Sequence, residues 1–339
     1  MKPVDFKPVR VGVLGVSRHY GLRVHLPVSH SPLLKLQAIG SRSKEKAENA
    51  AAKWGFESAY GSYQEVLDDP EVEMVYVVLP NHEHTRWIRK CADAGKAVLC
   101  EKPAALNADD AADAFAYAQS KGILAMEAFM YRFHPQWVRA KELIDAGEIG
   151  EVLSIHSVFG YNNTNPDNIR NIKEYGGGAL YDIGCYTISS ARYLLGKEPL
   201  SVVANMDFSQ ETGTDVLTSV MMDFGSARTH FTVGTLMARR QEVEVFGSGG
   251  HLKIALPFNA YPDVPLAVEV TNSTGTRNVL CGPADQYALL FEAFARAFRE
   301  GGPPPVPHQD AVANMRVIDA VFRSAESGSW EQVARSGGR

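Results

Sequence analysis

The sequence predicts an α/β chain with two parts: a doubly wound parallel sheet, then an α+β domain with a large, mostly antiparallel open sheet. Three observations carry this. The first third alternates short apolar runs with helix-patterned stretches, the rhythm of βαβ units with right-handed crossovers. From Leu200 to Val279 short strand-like runs follow one another, separated by turn signals and without helices. A length of 339 residues corresponds to roughly two domains at about 150 residues each. The boundary is placed at residue 128, with 1–128 as the first domain and 129–339 as the second.

In chain order, Val9–Leu14 is a β-branched run closed by glycine, and Leu36–Gly40 is a second strand. Lys44–Trp54 is rich in Ala and charge and suits a helix. Val72–Leu79 is nearly all apolar, as a strand covered on both faces should be. His84–Gly95 reads as a helix, Ala97–Cys100 as a buried strand, and Asp109–Lys121 as a helix capped by Gly122. Ile123–Met126 is one more short strand. Beyond it come a helix over Gln136–Ala146, an extended run over Val152–Tyr161 and a helix over Ala179–Leu195. The strands expected next are Ser201–Met206, Val216–Asp223, Arg228–Thr235, Arg240–Phe246, Gly250–Ala255 and Leu266–Thr271. Helices over Gln286–Arg299 and Asp310–Ser324 close the chain.

Composition excludes several classes. Lys plus Arg number 34 and Asp plus Glu 39, a net charge of −5, so no global basic field favours nucleic acid or an anionic membrane. No apolar run reaches the roughly 18–20 residues of a membrane span. The short polar N-terminus leaves no room for a secretory core, so a cytoplasmic location is expected. The four cysteines are scattered, without CxxC or zinc spacing, and read as reduced, mostly buried thiols.

The first turn, Gly12-Val13-Leu14-Gly15-Val16-Ser17, is a degenerate form of the glycine fingerprint that lets a backbone approach a dinucleotide pyrophosphate. Gly15 fits its first position and Ser17 stands at the second. The third falls on Tyr20, or on Gly21 with one extra residue. The second strand ends in Gly40-Ser41-Arg42-Ser43-Lys44, without the acid that holds a ribose 2′-hydroxyl. Ser41, Arg42 and Lys44 attract a 2′-phosphate, so NADP is favoured over NAD.

Glu101-Lys102-Pro103 follows a buried strand, at the end of the sheet where open α/β folds bind ligands. A second cluster is Gly176-Gly177-Gly178-Ala179-Leu180-Tyr181-Asp182-Ile183-Gly184-Cys185-Tyr186. Three glycines permit close backbone approach before a helix starts, and Asp182, Tyr186, Ser189 and Tyr193 then share one helical face. Pro80-Asn81-His82-Glu83-His84 follows another strand end. Its His-x-His has no third ligand in metal spacing, so no metal is expected.

Together the glycine turn, the EKP segment and the GGGALYDIGCY helix resemble the Gfo/Idh/MocA oxidoreductases. The likeness covers essentially the whole chain, including Tyr131-Arg132-Phe133-His134-Pro135 and Asp310–Arg316. The resemblance implies a Rossmann domain and an α+β domain whose open sheet often mediates dimers or tetramers. It implies NAD(P)-dependent redox chemistry on sugars and related cyclic diols or ketones. A Tyr at 186, where many members carry His, is similar to the branch of sugar dehydrogenases, sugar ketoreductases and dihydrodiol dehydrogenases. The same likeness makes Lys102 the catalytic lysine, Tyr186 the acid/base and Asp182 a substrate-pocket acid. It implies a cis Lys102-Pro103 bond and puts Pro80, Asn81, His84 and Glu101 beside the cofactor. Arg132, His134, Tyr161, Asn163 and Arg170 are further candidates for the pocket, with a structural role open for each. The expected activity is hydride transfer at a hydroxyl or carbonyl carbon with a Lys-Tyr pair for proton transfer. The alternative is a low-turnover dinucleotide sensor on the same fold. The expected partners are a small-molecule substrate and a second copy of the chain.

Overall fold

The computed structural model describes residues 7–334. The first unit contains the described residues through Ala105, Asp109–Met130 and Tyr287–Ala311. Its sheet is built from β1 (Val9–Leu14), β2 (Leu34–Gly40), β3 (Ser58–Tyr60), β4 (Met74–Val77), β5 (Ala97–Cys100) and β6 (Ala125–Glu127), in the spatial order β3-β2-β1-β4-β5-β6. All these pairs are parallel. Val11, Val13, Val75, Val77, Val98 and Leu99 are fully buried, because helices cover both faces of a doubly wound sheet.

The helix at Lys44–Trp54 has the bounds its sequence predicts. The Ser43 hydroxyl accepts from Lys46 N at its start and Gly55 takes a left-handed conformation at its end. The strand expected over Val72–Leu79 is shorter, Met74–Val77. Val72 is held in a turn by its N–H to Asp69 O, and only the segment beside β1 has a ladder partner. Strand β3 and the helix Tyr63–Asp68 were not expected. The second starts at a capping box between Ser62 and Glu65, a local signal that the sequence did carry.

The second unit contains Leu106–Ala108, Tyr131–Gln286 and the described residues from Val312 onward. The domain division therefore needs a correction. Residues 287–311, placed by sequence in the second domain, pack with the first: Arg299 pairs with Glu73 at 2.7 Å and Glu292 accepts from the Ser31 hydroxyl at 2.7 Å.

The second sheet is formed by β7 (Val152–Asn162), β8 (Ser201–Phe208), β9 (Asp215–Asp223), β10 (Arg228–Gly234), β11 (Leu236–Gly247), β12 (Gly250–Ile254), β13 (Leu266–Asn272), β14 (Gly275–Cys281) and β15 (Glu331–Gln332). Their order is β14-β13-β12-β11-β7-β10-β9-β8-β15. Only β7 and β10 pair in parallel among these neighbours. One face carries the buried Ile155, Val220, Phe231, Val243, Val245, Leu252 and Val268. The register aligns Glu269, Lys253, Glu244, His156, His230 and Met221 across the other. That alternation follows from successive side chains pointing to opposite faces of a strand. Strand β14 was missed because most of its residues are exposed and polar, so no apolar alternation marks it.

Candidate functional site

In the first unit most candidate residues lie just past the carboxyl ends of β1, β2, β4 and β5, while Gly12 lies within β1 and His84 begins a helix. Gly15 has φ +113°, and a Cβ there would sit 3.0 Å from Val78 O. The turn therefore requires glycine, and its bare backbone is what a phosphate-binding loop presents. Ser17, in place of the second glycine, accepts from Tyr20 N through its hydroxyl at 3.0 Å and so caps the turn that follows. Of the two candidates for the third position, Gly21 takes the packing role, since a Cβ there would lie 2.6 Å from the Trp54 ring. Tyr20 is a core residue. Gly12, within β1, is likewise a packing glycine: Val66 and Val72 fill the space of its side chain. Val16 is half-buried in the same loop.

At the end of β2, Ser41 is buried and its hydroxyl accepts from Ser43 N at 3.2 Å, while Arg42 is exposed. Burial pushes up the pKa of the Tyr63 phenol and the neighbouring Arg42 guanidinium pulls it back. Tyr63 thus adjoins the candidate phosphate site, a placement no local sequence signal marked. The Lys44 ammonium donates to Ala59 O at 2.5 Å.

The Lys102-Pro103 bond is cis. Lys102 is half-buried beside Glu101, which is nearly buried and accepts from the Tyr76 hydroxyl. His19 Nε2 stands 3.6 Å from the Glu101 carboxylate. Burial alone would raise the Glu101 pKa; the hydrogen bond and charge of His19, the Lys102 charge and the Tyr76 hydroxyl outweigh it and hold it at about 2. His19 also meets the Tyr287 hydroxyl at 3.3 Å. Pro80 and Asn81 open the short turn Asn81–Glu83 after β4, both half-buried. His84 differs from expectation: its two ring nitrogens each lie 2.8 Å from a backbone carbonyl, Pro103 O and Leu79 O, and the residue is 1% exposed. It presents no ring nitrogen to a ligand.

In the second unit the glycine run precedes a wide turn, Leu180–Gly184, that continues as the helix Cys185–Leu195. Gly178 has φ +116° and a Cβ there would lie 2.0 Å from Asp215 Oδ1. Asp215 in turn accepts from Leu180 N at 2.8 Å and from the Thr218 hydroxyl at 2.6 Å. This carboxylate, which fastens the start of the helix, went unrecognised in the sequence because it lies 35 residues from Leu180.

Asp182 accepts from the Tyr161 hydroxyl at 2.6 Å and pairs with Arg170 Nε at 2.9 Å. The Asp182 charge raises the Arg170 pKa, and burial followed by the Asp182 charge raises that of Tyr161. Arg170 stays cationic and Tyr161 stays a donor. Tyr186, one turn beyond Asp182, is 5% exposed. Its ring packs against Phe258, Phe159 and Tyr131, with centroids at 5.2, 6.0 and 6.1 Å. Ser189 accepts from Arg132 at 3.1 Å and meets the Tyr131 hydroxyl at 2.7 Å. The structure thus brings Asp182, Arg170, Tyr161 and the helix bearing Tyr186 into one cluster. Two candidates stand apart with structural roles. His134 is buried and caps the helix Pro135–Asp145, its Nδ1 accepting from Gln136 N at 3.2 Å. Asn163 anchors a loop, donating from its N–H to Thr235 O at 2.9 Å and accepting at its own carbonyl from Asn171.

These features define a class: a Rossmann-type sheet with a left-handed glycine turn after β1, and an α+β unit with a Tyr-Asp-Arg cluster. A family model described as an oxidoreductase family with an NAD-binding Rossmann fold matches residues 9–129, and one described as the GFO/IDH/MocA C-terminal domain matches residues 137–253. The chain belongs to the Gfo/Idh/MocA family of oxidoreductases. It is 37% identical to an NADP(+)-dependent D-xylose 1-dehydrogenase of Haloferax volcanii, over 94% of this chain and 98% of the relative. It is 31% identical to a dTDP-3,4-didehydro-2,6-dideoxy-alpha-D-glucose 3-reductase of Actinomadura kijaniata, over 95% and 97%. The crystal structure of KijD10, a 3-ketoreductase from Actinomadura kijaniata in complex with NADP and TDP-benzene, superposes with a TM-score of 0.89 at 30% identity, covering 94% of this chain and 98% of that one. Among the described residues no helix is long and apolar enough to cross a membrane.

Proposed function

We propose that this oxidoreductase uses NADP(H) to interconvert a hydroxyl and a carbonyl on a sugar or a related cyclic diol or ketone. The observation that carries the reading is the pairing of a left-handed Gly15 turn with an acid-free, Arg42-bearing end of β2. That set fits a dinucleotide with a 2′-phosphate: bare backbone for the pyrophosphate, a hydroxyl and a guanidinium for the added phosphate. Gly15, Val16, Ser17, Ser41 and Arg42 would hold it, with Pro80, Asn81 and the Glu101-Lys102 turn bordering it. When bound, the nicotinamide supplies or accepts the hydride. The NADP-bound ketoreductase and the NADP(+)-dependent xylose dehydrogenase support the same cofactor class.

The chain's own groups supply the proton and the electrostatics. Tyr186 gives a proton to the oxygen of a carbonyl being reduced, or takes one from an alcohol being oxidised. The Lys102 ammonium stabilises negative charge on that oxygen and on the phenolate. Asp182 is a holder rather than a proton carrier, because both its oxygens are already engaged by Tyr161 and Arg170. The assembly reading stays with the second sheet, whose outward row awaits cover by a second copy.

Tyr186→Phe removes only a hydroxyl. Single-turnover hydride transfer with saturating NADPH should fall by about 10²–10⁴-fold with an unchanged melting temperature. Retention of most of the rate in a well-folded variant would remove Tyr186 from the mechanism. Arg42→Asp tests the cofactor: it should weaken NADPH by at least about tenfold relative to NADH in fluorescence titrations, and equal weakening of both would refute the 2′-phosphate site.

A further inference from the structure

We propose that His84 is a positioning residue for Lys102, tying the turn that carries Lys102-Pro103 to the segment that leaves β4. The inference rests on the reading of Lys102 as the cation of the reaction. His84 begins the helix His84–Asp93 and is 1% exposed. Its Nδ1 lies 2.8 Å from Pro103 O, the carbonyl just after the lysine, and its Nε2 lies 2.8 Å from Leu79 O. One side chain thereby links the ends of two adjacent parallel strands, β4 and β5. The same turn is fastened from its other side, where Ala104 N donates to Glu127 Oε1 at 2.7 Å. Both anchors hold the backbone that directly follows Lys102, His84 at Pro103 O and Glu127 at Ala104 N.

Burial and a backbone carbonyl against each ring nitrogen exclude direct contact of His84 with substrate or cofactor, so its influence on the reaction runs through the turn. Burial lowers the imidazole pKa, so the neutral ring donates from one nitrogen to one of these two carbonyls and packs its other edge against the second. A carbonyl left without that donor inside a buried site costs stability and releases the turn. A lysine displaced by a fraction of an ångström loses its alignment with the charge it must stabilise.

Two variants separate the clamp from packing: His84→Gln keeps a donor of smaller reach, and His84→Phe keeps ring volume without donors. The first readout needs neither substrate nor cofactor. The full chain is acetylated with N-hydroxysuccinimide acetate, and the rate at each lysine is followed by peptide mass spectrometry. Lys102 should change its rate several-fold in whichever variants melt cooperatively, with Lys44 and Lys121 unchanged. An unaltered Lys102 rate in a folded variant overturns the proposal. The second readout is a double-mutant cycle on NADP⁺ reduction with the best aldose of a panel. His84→Gln should cut kcat by about tenfold in the parent and by nothing further in Lys102→Met. An equal loss in both backgrounds means that His84 acts elsewhere and also overturns it. If Lys102→Met alone retains full turnover, the role of Lys102 fails, while the labelling result still decides whether His84 places that lysine.

Discussion

Glu101 in the first unit and Asp182 in the second each accept from a tyrosine hydroxyl, Tyr76 and Tyr161, and each faces a cation. Both lie beside a residue assigned to the chemistry: Lys102 follows Glu101 directly, and Tyr186 stands one turn after Asp182. The partners differ. Asp182 is paired with Arg170, a guanidinium that keeps its charge at any working pH. Glu101 faces His19, an imidazole that carries charge only when protonated. The same arrangement of carboxylate and phenol is thus closed by a guanidinium in one unit and by an imidazole in the other.

The largest test of that difference is the acid stability of Glu101. Its pKa is depressed from 4.5 to about 2, so its contribution is present above the unfolded-state value and is lost as pH falls toward the folded one. The parent should exceed Glu101→Gln by up to about 3 kcal/mol at pH 6, and the gap should close between pH 4.5 and 2. Urea unfolding across that range checks it, and a gap independent of pH would break the comparison.

Removing the guanidinium comes next. Arg170→Met leaves Asp182, 9% exposed, without its cation. A fully buried pair would lose about 3–5 kcal/mol. The Arg170 side chain is 36% exposed, so water compensates and about 2 kcal/mol is expected. Thermal melts should show that loss unchanged from pH 5 to 8. A loss that varied through this range would show that the pairing does not rest on a fixed charge.

The smallest effect sharpens the likeness. Tyr76→Phe and Tyr161→Phe each delete one hydrogen bond to a carboxylate, and each should cost about 1.5 kcal/mol. Matched melting shifts support two equivalent devices; a shift in only one variant shows that a single phenol matters.

Much of the frame was legible because its causes are local. The buried strands β1 and β5 and the helix Lys44–Trp54 have the expected bounds. Short apolar runs, a serine cap and a left-handed glycine act within a few residues. The site was legible as positions more than as roles. Ser17 and Gly21 share out the work of the degenerate fingerprint, one as a cap and one as a packing surface. His84 was read as a cofactor contact and His134 as a pocket candidate with a structural role open; each is buried and bonded to backbone. Nothing in a histidine's immediate neighbours says which carbonyls or N–H groups it will meet.

The sequence by itself determined the parallel sheet, the antiparallel sheet after it, the glycine turn and the segments that carry Lys102 and Tyr186. Periodicity, β-branching and glycine placement express backbone sterics and burial, which each residue feels from its neighbours in the chain. Tertiary structure alone decided that residues 287–311 pack with the first unit. It also decided that Asp215 fastens the glycine run and that Asp182 is held by Tyr161 and Arg170. Those outcomes depend on desolvation and on charges brought together from distant positions. A carboxylate's role is set by which donors and cations reach it once water is gone, and that is known only when the chain has closed on itself.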